Sequence, residues 1–186
     1  MVAYIISQVF VVLGYVALVF SYRSINRKGI LFFNLISSVC NATSYLFLSA
    51  YSGMAMNIVA CLRNVIFLMQ NKKSDSSKNT KTDNVILAVL IVIILSFAVF
   101  TYDGIFSLVA VLGSLLFTFS IWQKNTTLYR FLGIAVSVLW IGYNIYVWSI
   151  LGIVLESVVL VFVVANLISE KIKFSKLVDD EIKKSE

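Results

Sequence analysis

The chain has 186 residues, 60% hydrophobic and 13% charged, with a mean hydropathy of +0.96 and a formal net charge of +6. Soluble domains are about a quarter charged, so the composition excludes an ordinary soluble protein and points to an all-α polytopic membrane protein. The sequence has no histidine, which leaves little material for metal sites or histidine proton relays. The start, MVAYIISQVF, has neither a basic leading segment nor a small-residue cleavage site, so no removed signal peptide is expected.

Seven apolar segments follow, each close to the ~20 residues that cross ~30 Å of hydrocarbon as a helix. The first, Val2–Phe20, carries Gln8 and Tyr15 seven apart. The second, Gly29–Leu48, carries Asn34, Ser38, Asn41 and Tyr45, which fall within about 40° of one line on a helix turning ~100° per residue. The third, Tyr51–Met69, places Asn57, Cys61 and Asn64 on one face and also holds Arg63. The polar stretch NKKSDSSKNTKTDN, Asn71–Asn84, has no apolar period and reads as a flexible linker whose lysines attract anionic lipid. The fourth segment is Asn84–Phe100. The fifth, Gly104–Trp122, carries Ser107 and Ser114. The sixth, Leu128–Trp148, carries Ser137, Trp140 and Asn144. The seventh, Ile150–Ser169, carries Glu156 and is almost continuous with the sixth around Ser149. The tail KIKFSKLVDDEIKKSE reads either as a short amphipathic helix on the membrane surface or as a frayed end. Cys40 and Cys61 fall inside apolar runs and read as small buried hydrophobes.

Charge sets the topology. Every basic residue except Arg63 lies in the first, third or fifth connection or in the tail. The connections near Ala50, Asp103 and Ser149 carry none. Lys and Arg mark the cytoplasmic side, so seven spans with the N-terminus out and the C-terminus in are expected. Tyr51, Tyr102, Tyr146 and Trp148 then fall at the outer interface, and Tyr22, Trp122 and Tyr129 at the inner one.

VLGYVALVFSYRSIN, Val12–Asn26, returns as VLGSLLFTFSIWQKN, Val111–Asn125. A shift of 99 residues aligns Val12–Leu68 with Val111–Leu167 without a gap, and 13 of 57 positions are identical. Spans one to three thus repeat as spans five to seven. Three spans reverse direction, so the fourth is expected as a connector that keeps the two copies parallel. The expected organisation is a first three-helix repeat at 1–70, a cytoplasmic linker at 71–83, a connector helix at 84–101, a second repeat at 102–169 and a cytoplasmic tail at 170–186. The shift pairs Asn41 with Trp140, Tyr45 with Asn144, Asn57 with Glu156, and Gly14 with Gly113.

The polar stripes have two readings. They are hydrogen-bonding glue between helices, or they face a common wet cavity. Arg63 and Glu156 are ionisable groups inside spans, which cost at least ~2.5–3.5 kcal/mol to insert and are functional candidates by default. Arg63 sits six residues before Met69, close enough to the end of its span to snorkel; Glu156 sits about six residues inside the outer boundary, and its shorter side chain snorkels less well. Their spacing does not imply a direct ion pair.

LWIGYNIYVWSILGIVLES, with Trp140, Asn144, Gly152 and Glu156, resembles the second-half signature of the bacterial YgjV-type inner-membrane proteins. YLFLSAYSGMAMNIVACLRNVI, with Gly53, Asn57 and Arg63, resembles their first-half signature. The resemblance spans about Ala3 to Ser169. More distantly, the chain resembles the SWEET sugar facilitators and other PQ-loop proteins, which share a three-plus-one-plus-three plan. That resemblance implies a substrate pocket with Asn41 and Trp140 on spans two and six and Asn57 and Glu156 on spans three and seven. The Pro-Gln hinge of that group is absent, because the chain has no proline. Gly14 and Gly113 stand in those spans and are expected to ease bending.

The expected function is transport of a small polar solute by alternating access between the two bundles. Asn41, Asn57, Trp140, Asn144 and Glu156 would bind the solute, with Trp140 stacking on it and Glu156 taking a cationic group or a coupling proton. Arg63 would act as a gate or anion contact. Gln8, Tyr15, Asn34, Ser38, Tyr45, Ser107, Ser114 and Ser137 would line the cavity. The alternative is a non-transporting protein that handles lipid or scaffolds a partner. One Glu and one Arg make a poor catalytic set, so no enzyme activity is expected, and no cofactor or metal. The expected surroundings are the bilayer and an unidentified small polar solute, with a homo-oligomer left open and nucleic acid not expected.

Overall fold

The computed structural model describes residues 2–71 and 81–185, without the side chains of 71 and 170–185. Expectations for the lysine-rich linker and for the side chains of the tail lie outside the described residues. Seven helices run α1 Val2–Arg23, α2 Arg27–Phe47, α3 Tyr51–Asn71, α4 Lys81–Phe100, α5 Ile105–Trp122, α6 Thr126–Tyr146 and α7 Ile150–Ser185. All seven are long and apolar enough to cross a membrane, α7 over Ile150–Ser169.

Local chemistry sets the helix limits. The Asn26 side chain accepts from Gly29 N at 2.9 Å and caps α2. Asn125 accepts from Thr127 N at 2.9 Å and Leu128 N at 3.1 Å and caps α6. These bonds satisfy amides that a helix start leaves without partners. At the other ends, Ser49 (φ 56°) and Trp148 (φ 55°) take the left-handed conformation. The chain then closes with Ala50 N donating to Tyr45 O at 2.9 Å and Ser149 N donating to Asn144 O at 3.0 Å. The turn at Trp148 separates α6 from α7, so the near-continuous apolar run is two helices. In each pair named here the residues are 99 apart. So are the limits of α2 and α6, the ends of α1 and α5, and the starts of α3 and α7.

α4 begins at Lys81, three residues before the expected boundary at Asn84. Asp83 occupies its first turn, where the helix dipole favours an acid, and pairs with Lys124 after α5 at 2.7 Å.

In the packing, α2 lies between α1 and α3, and α6 between α5 and α7. The two groups meet where α1 packs on α7 and α3 on α5, while α4 leans on α3 and α5. The chain is apolar outside and polar inside. Val9, Val16, Phe32, Val39 and Val161 are exposed, whereas Asn34, Arg63, Asn64, Ser137 and Asn144 are buried. In a hydrocarbon solvent apolar burial gains little, so small and polar side chains make the helix contacts.

One end of the bundle gathers the basic loops. There Arg27 donates to Ile121 O at 2.9 Å and Arg130 to Tyr22 O at 3.2 Å. At the opposite end Tyr146 donates to Asp103 O at 3.3 Å. Tyr51, Tyr102, Tyr146 and Trp148 are exposed there, as expected of interfacial aromatics. Tyr22 and Tyr129 correct that expectation at the basic end: both are buried, because their hydroxyls and rings join contacts between α1, α2 and α6.

A polar cavity between the two helix groups

A cavity of about 50 Å³ lies at the centre of the bundle, lined from every helix except α4. That is several times the ~10–15 Å³ one water needs, and far below the ~300–1,000 Å³ of a drug-sized site. Its wall includes Tyr15 on α1; Asn34, Ser38, Asn41 and Tyr45 on α2; Asn57 and Arg63 on α3; Ser114 on α5; Trp140 on α6; and Glu156 on α7. Each of these is singled out in the sequence by periodicity, by the repeat or, for Arg63, by its charge inside a span.

Four expected residues stand elsewhere. Asn144 sits just above the cavity, accepting from Tyr45 Oη at 3.0 Å and donating to Tyr15 Oη at 3.3 Å. It therefore orients two wall tyrosines. Ser137 lies beside the Glu156 carboxylate, as does Tyr15. Gln8 is nearer the end without basic loops, where its carbonyl accepts from Leu151 N at 3.1 Å and completes the first turn of α7. Ser107 bonds locally, donating to Gly104 O at 2.6 Å and accepting from Asp103 N at 3.3 Å. The Gln8 carbonyl and the Ser107 hydroxyl are taken up at helix starts, and the Gln8 amide nitrogen donates to Ser7 Oγ at 3.0 Å.

Gly14 and Gly113 act by allowing close approach. A Cβ at Gly14 would stand 3.0 Å from Asn41 Oδ1, and one at Gly113 would stand 3.3 Å from Trp140 Nε1. Both α1 and α5 continue as unbroken helices through these glycines, which leave room for the two paired wall residues.

Arg63 does not snorkel; it is 1% exposed. Its Nε donates to Asn64 Oδ1 at 3.3 Å and one terminal nitrogen to Thr118 Oγ1 at 3.0 Å. The guanidinium lies over the Phe117 ring, 4.9 Å from its centroid. Its other terminal nitrogen is buried without a hydrogen-bond partner. Glu156 is 4% exposed. Among the described residues neither charge belongs to an ion pair; the pair there is Lys124–Asp83. Two buried ionisable groups of opposite kind thus share one cavity without touching.

Tyrosine contacts span the bundle near both ends of the cavity. Toward the basic loops, Tyr129 Oη lies 3.0 Å from Ser21 Oγ and accepts from Asn34 Nδ2 at 3.0 Å, and its ring stacks on Tyr22 at 5.0 Å. Toward the other end, Tyr143 Oη lies 2.8 Å from Ser52 Oγ and accepts from Gly53 N at 2.8 Å. Tyr45 and Trp140 stack beneath it at 6.0 Å. Each closure joins one three-helix group to the other.

Reading the sequence for polar stripes missed the closing tyrosines and the Phe117–Thr118 seat of Arg63. A signal was present. Gln8, Tyr15 and Tyr22 are spaced by seven along α1, and Tyr129, Val136 and Tyr143 along α6, so extending each seven-residue row reaches both closures.

A family model described as a bacterial inner membrane protein, Imp-YgjV, matches residues 5–171. No curated protein and no solved structure matches the chain.

Proposed function

The chain belongs to the YgjV family of bacterial inner membrane proteins and is a multi-pass protein of that membrane; from this premise we propose that it carries a small polar solute by alternating access between two three-helix bundles. The observation that carries the reading is the cavity lined by polar side chains at the junction of α1–α3 with α5–α7. Carriers built from repeats place their substrate at such a junction near mid-membrane. On this reading α1–α3 and α5–α7 are parallel repeats and α4 is the connector. The 99-residue spacing of caps, turns and helix limits supports it. So does the packing, in which α1 on α7 mirrors α5 on α3. The basic end lies in the cytoplasm, the N-terminus outside and the C-terminus inside.

The closures supply the mechanism. Breaking the Tyr143 contacts with Ser52 and Gly53 opens the cavity outward, and breaking the Tyr129 contacts with Ser21 and Asn34 opens it inward. Either step loses a few hydrogen bonds, each worth about 0.5–1.5 kcal/mol net, so the two open states stay within reach of the closed one. Asn41, Asn57 and Trp140 contact the solute, and Asn144 sets the two tyrosines above it. The scheme extends to this chain the three-plus-one-plus-three plan of the SWEET group as a proposal, with glycine-assisted packing in place of a proline hinge.

Uptake of radiolabelled small polar solutes into liposomes holding the purified protein tests the proposal. Saturable uptake lost in Glu156→Gln, with thermal stability retained, is the expected result. Absence of uptake across solute classes would overturn the carrier reading in favour of a lipid-handling or scaffolding protein.

A further inference from the structure

Arg63 and Glu156 define what kind of solute the cavity accepts, an inference that rests on the carrier reading only for how the solute arrives. α3 and α7 start at the same end of the bundle, at Tyr51 and Ile150. Arg63 lies twelve residues into its helix and Glu156 six into its own. At ~1.5 Å per residue the two backbone positions differ by ~9 Å along the bundle axis. No contact within 4.0 Å joins the two charges, yet both line one void.

The guanidinium is held in place. Thr118 and Asn64 take two of its N–H groups and the Phe117 face supports its plane. What remains is a terminal nitrogen, fully buried, with no acceptor among the described residues. A guanidinium offers five donors in a planar fork suited to a carboxylate. A buried cation without an anionic partner is strongly unfavourable, so the site calls for an anion at that point. At the other end Glu156 offers only acceptors once ionised, and the Tyr15 hydroxyl and Ser137 stand beside it. The wall between carries neutral amides and hydroxyls, Asn41, Asn57 and Ser38, and the Trp140 ring.

We propose that the cavity between Arg63 and Glu156 is a binding site for a small zwitterion, with a carboxylate on the Arg63 guanidinium and an ammonium group on the Glu156 carboxylate. The bound solute neutralises both buried charges at once, which a neutral polyol cannot do and a single ion does by half. The cavity of about 50 Å³ favours a molecule of few heavy atoms. Trp140 adds a π face able to hold an ammonium group.

The test is calorimetric binding to the purified full chain in detergent. The probes are glycine, β-alanine and γ-aminobutyrate, their half-molecules acetate and methylammonium, and glucose. The zwitterions should bind at least about tenfold more tightly than either half, since each half forgoes one charge-assisted contact. Glucose should not bind. In Glu156→Gln the zwitterions should weaken by about tenfold or more while acetate tightens, because the carboxylate no longer repels it. In Arg63→Gln the preference should move to methylammonium. The wild-type comparison of whole and half molecules stands even if a variant fails to fold. Tight glucose binding, equal affinity for zwitterions and their halves, or no binding by any probe would overturn the zwitterion site. Zwitterion binding without liposome uptake would instead overturn the carrier reading and leave this site standing, and uptake of a neutral solute alone would do the reverse.

Discussion

Tyr143→Phe tests how the cavity is held shut. The substitution keeps a ring of the same size, so packing against Tyr45 and Trp140 survives and only the hydroxyl is lost. That hydroxyl serves two partners, Ser52 Oγ and Gly53 N, both at 2.8 Å, and the tyrosine is 1% exposed. Gly53 lies in the first turn of α3. The first amide of that turn with a helical acceptor is Met54 N, bonded to Ala50 O at 3.0 Å, so a side chain from α6 caps α3. Without it a buried amide goes unpaired, at about 1–3 kcal/mol. If the closed state alone makes this bond, the same energy raises the population open at that end about 5–150-fold. Ala60, which lines the cavity, provides the reporter as Ala60→Cys in a background with Cys40→Ala and Cys61→Ala. A membrane-impermeant thiol reagent applied from the face opposite the basic loops should label it faster in Tyr143→Phe by a factor in that range. Unchanged labelling together with an unchanged melting temperature would refute the reasoning, since the bond would then be worth nothing in the closed state.

Gly53→Ala should act in the same direction, because its Cβ would stand 2.6 Å from Tyr143 Cε1 and 2.8 Å from its hydroxyl. A helix interior otherwise gains about 1 kcal/mol from this change, so a fall in melting temperature reports the clash and a rise denies it. Tyr129→Phe should open the cavity at the basic end, speeding Ala60→Cys labelling from that side and leaving the other side unchanged. Asp83→Asn should cost about 1–3 kcal/mol by removing the 2.7 Å contact with Lys124, and the double variant Asp83→Asn/Lys124→Gln should cost less than the sum of the two single variants, as thermal unfolding would show; full additivity would mean that the pair is not coupled. A topology reporter at Asp103 should read outside the cytoplasm and one at the C-terminus inside, and a cytoplasmic signal at Asp103 would remove the assigned orientation.

The sequence by itself determined the seven helices. In lipid every backbone amide must be paired within its own helix, so an uninterrupted apolar run of sufficient length has one outcome. Asn26 and Asn125 were legible as recurring positions before they proved to be paired caps, since capping is a local event. The stripe Asn34, Ser38, Asn41 and Tyr45 was legible because helical period alone puts it on one face, and that face does meet the cavity. Periodicity could not say which polar atoms were already occupied. Gln8 shares a face with Tyr15, yet it spends its carbonyl on α7, and Ser107 spends its hydroxyl on its own turn. It could not separate an interfacial tyrosine from a buried one either, because Tyr129 faces α1 and α2 rather than lipid only once α6 is docked against them. Tertiary structure decided most for Arg63. From sequence it was free to snorkel. Thr118 and Phe117, fifty-odd residues away on α5, instead hold it inside the bundle. A long charged side chain goes wherever its donors find acceptors, and those acceptors exist only when α3 and α5 are packed together.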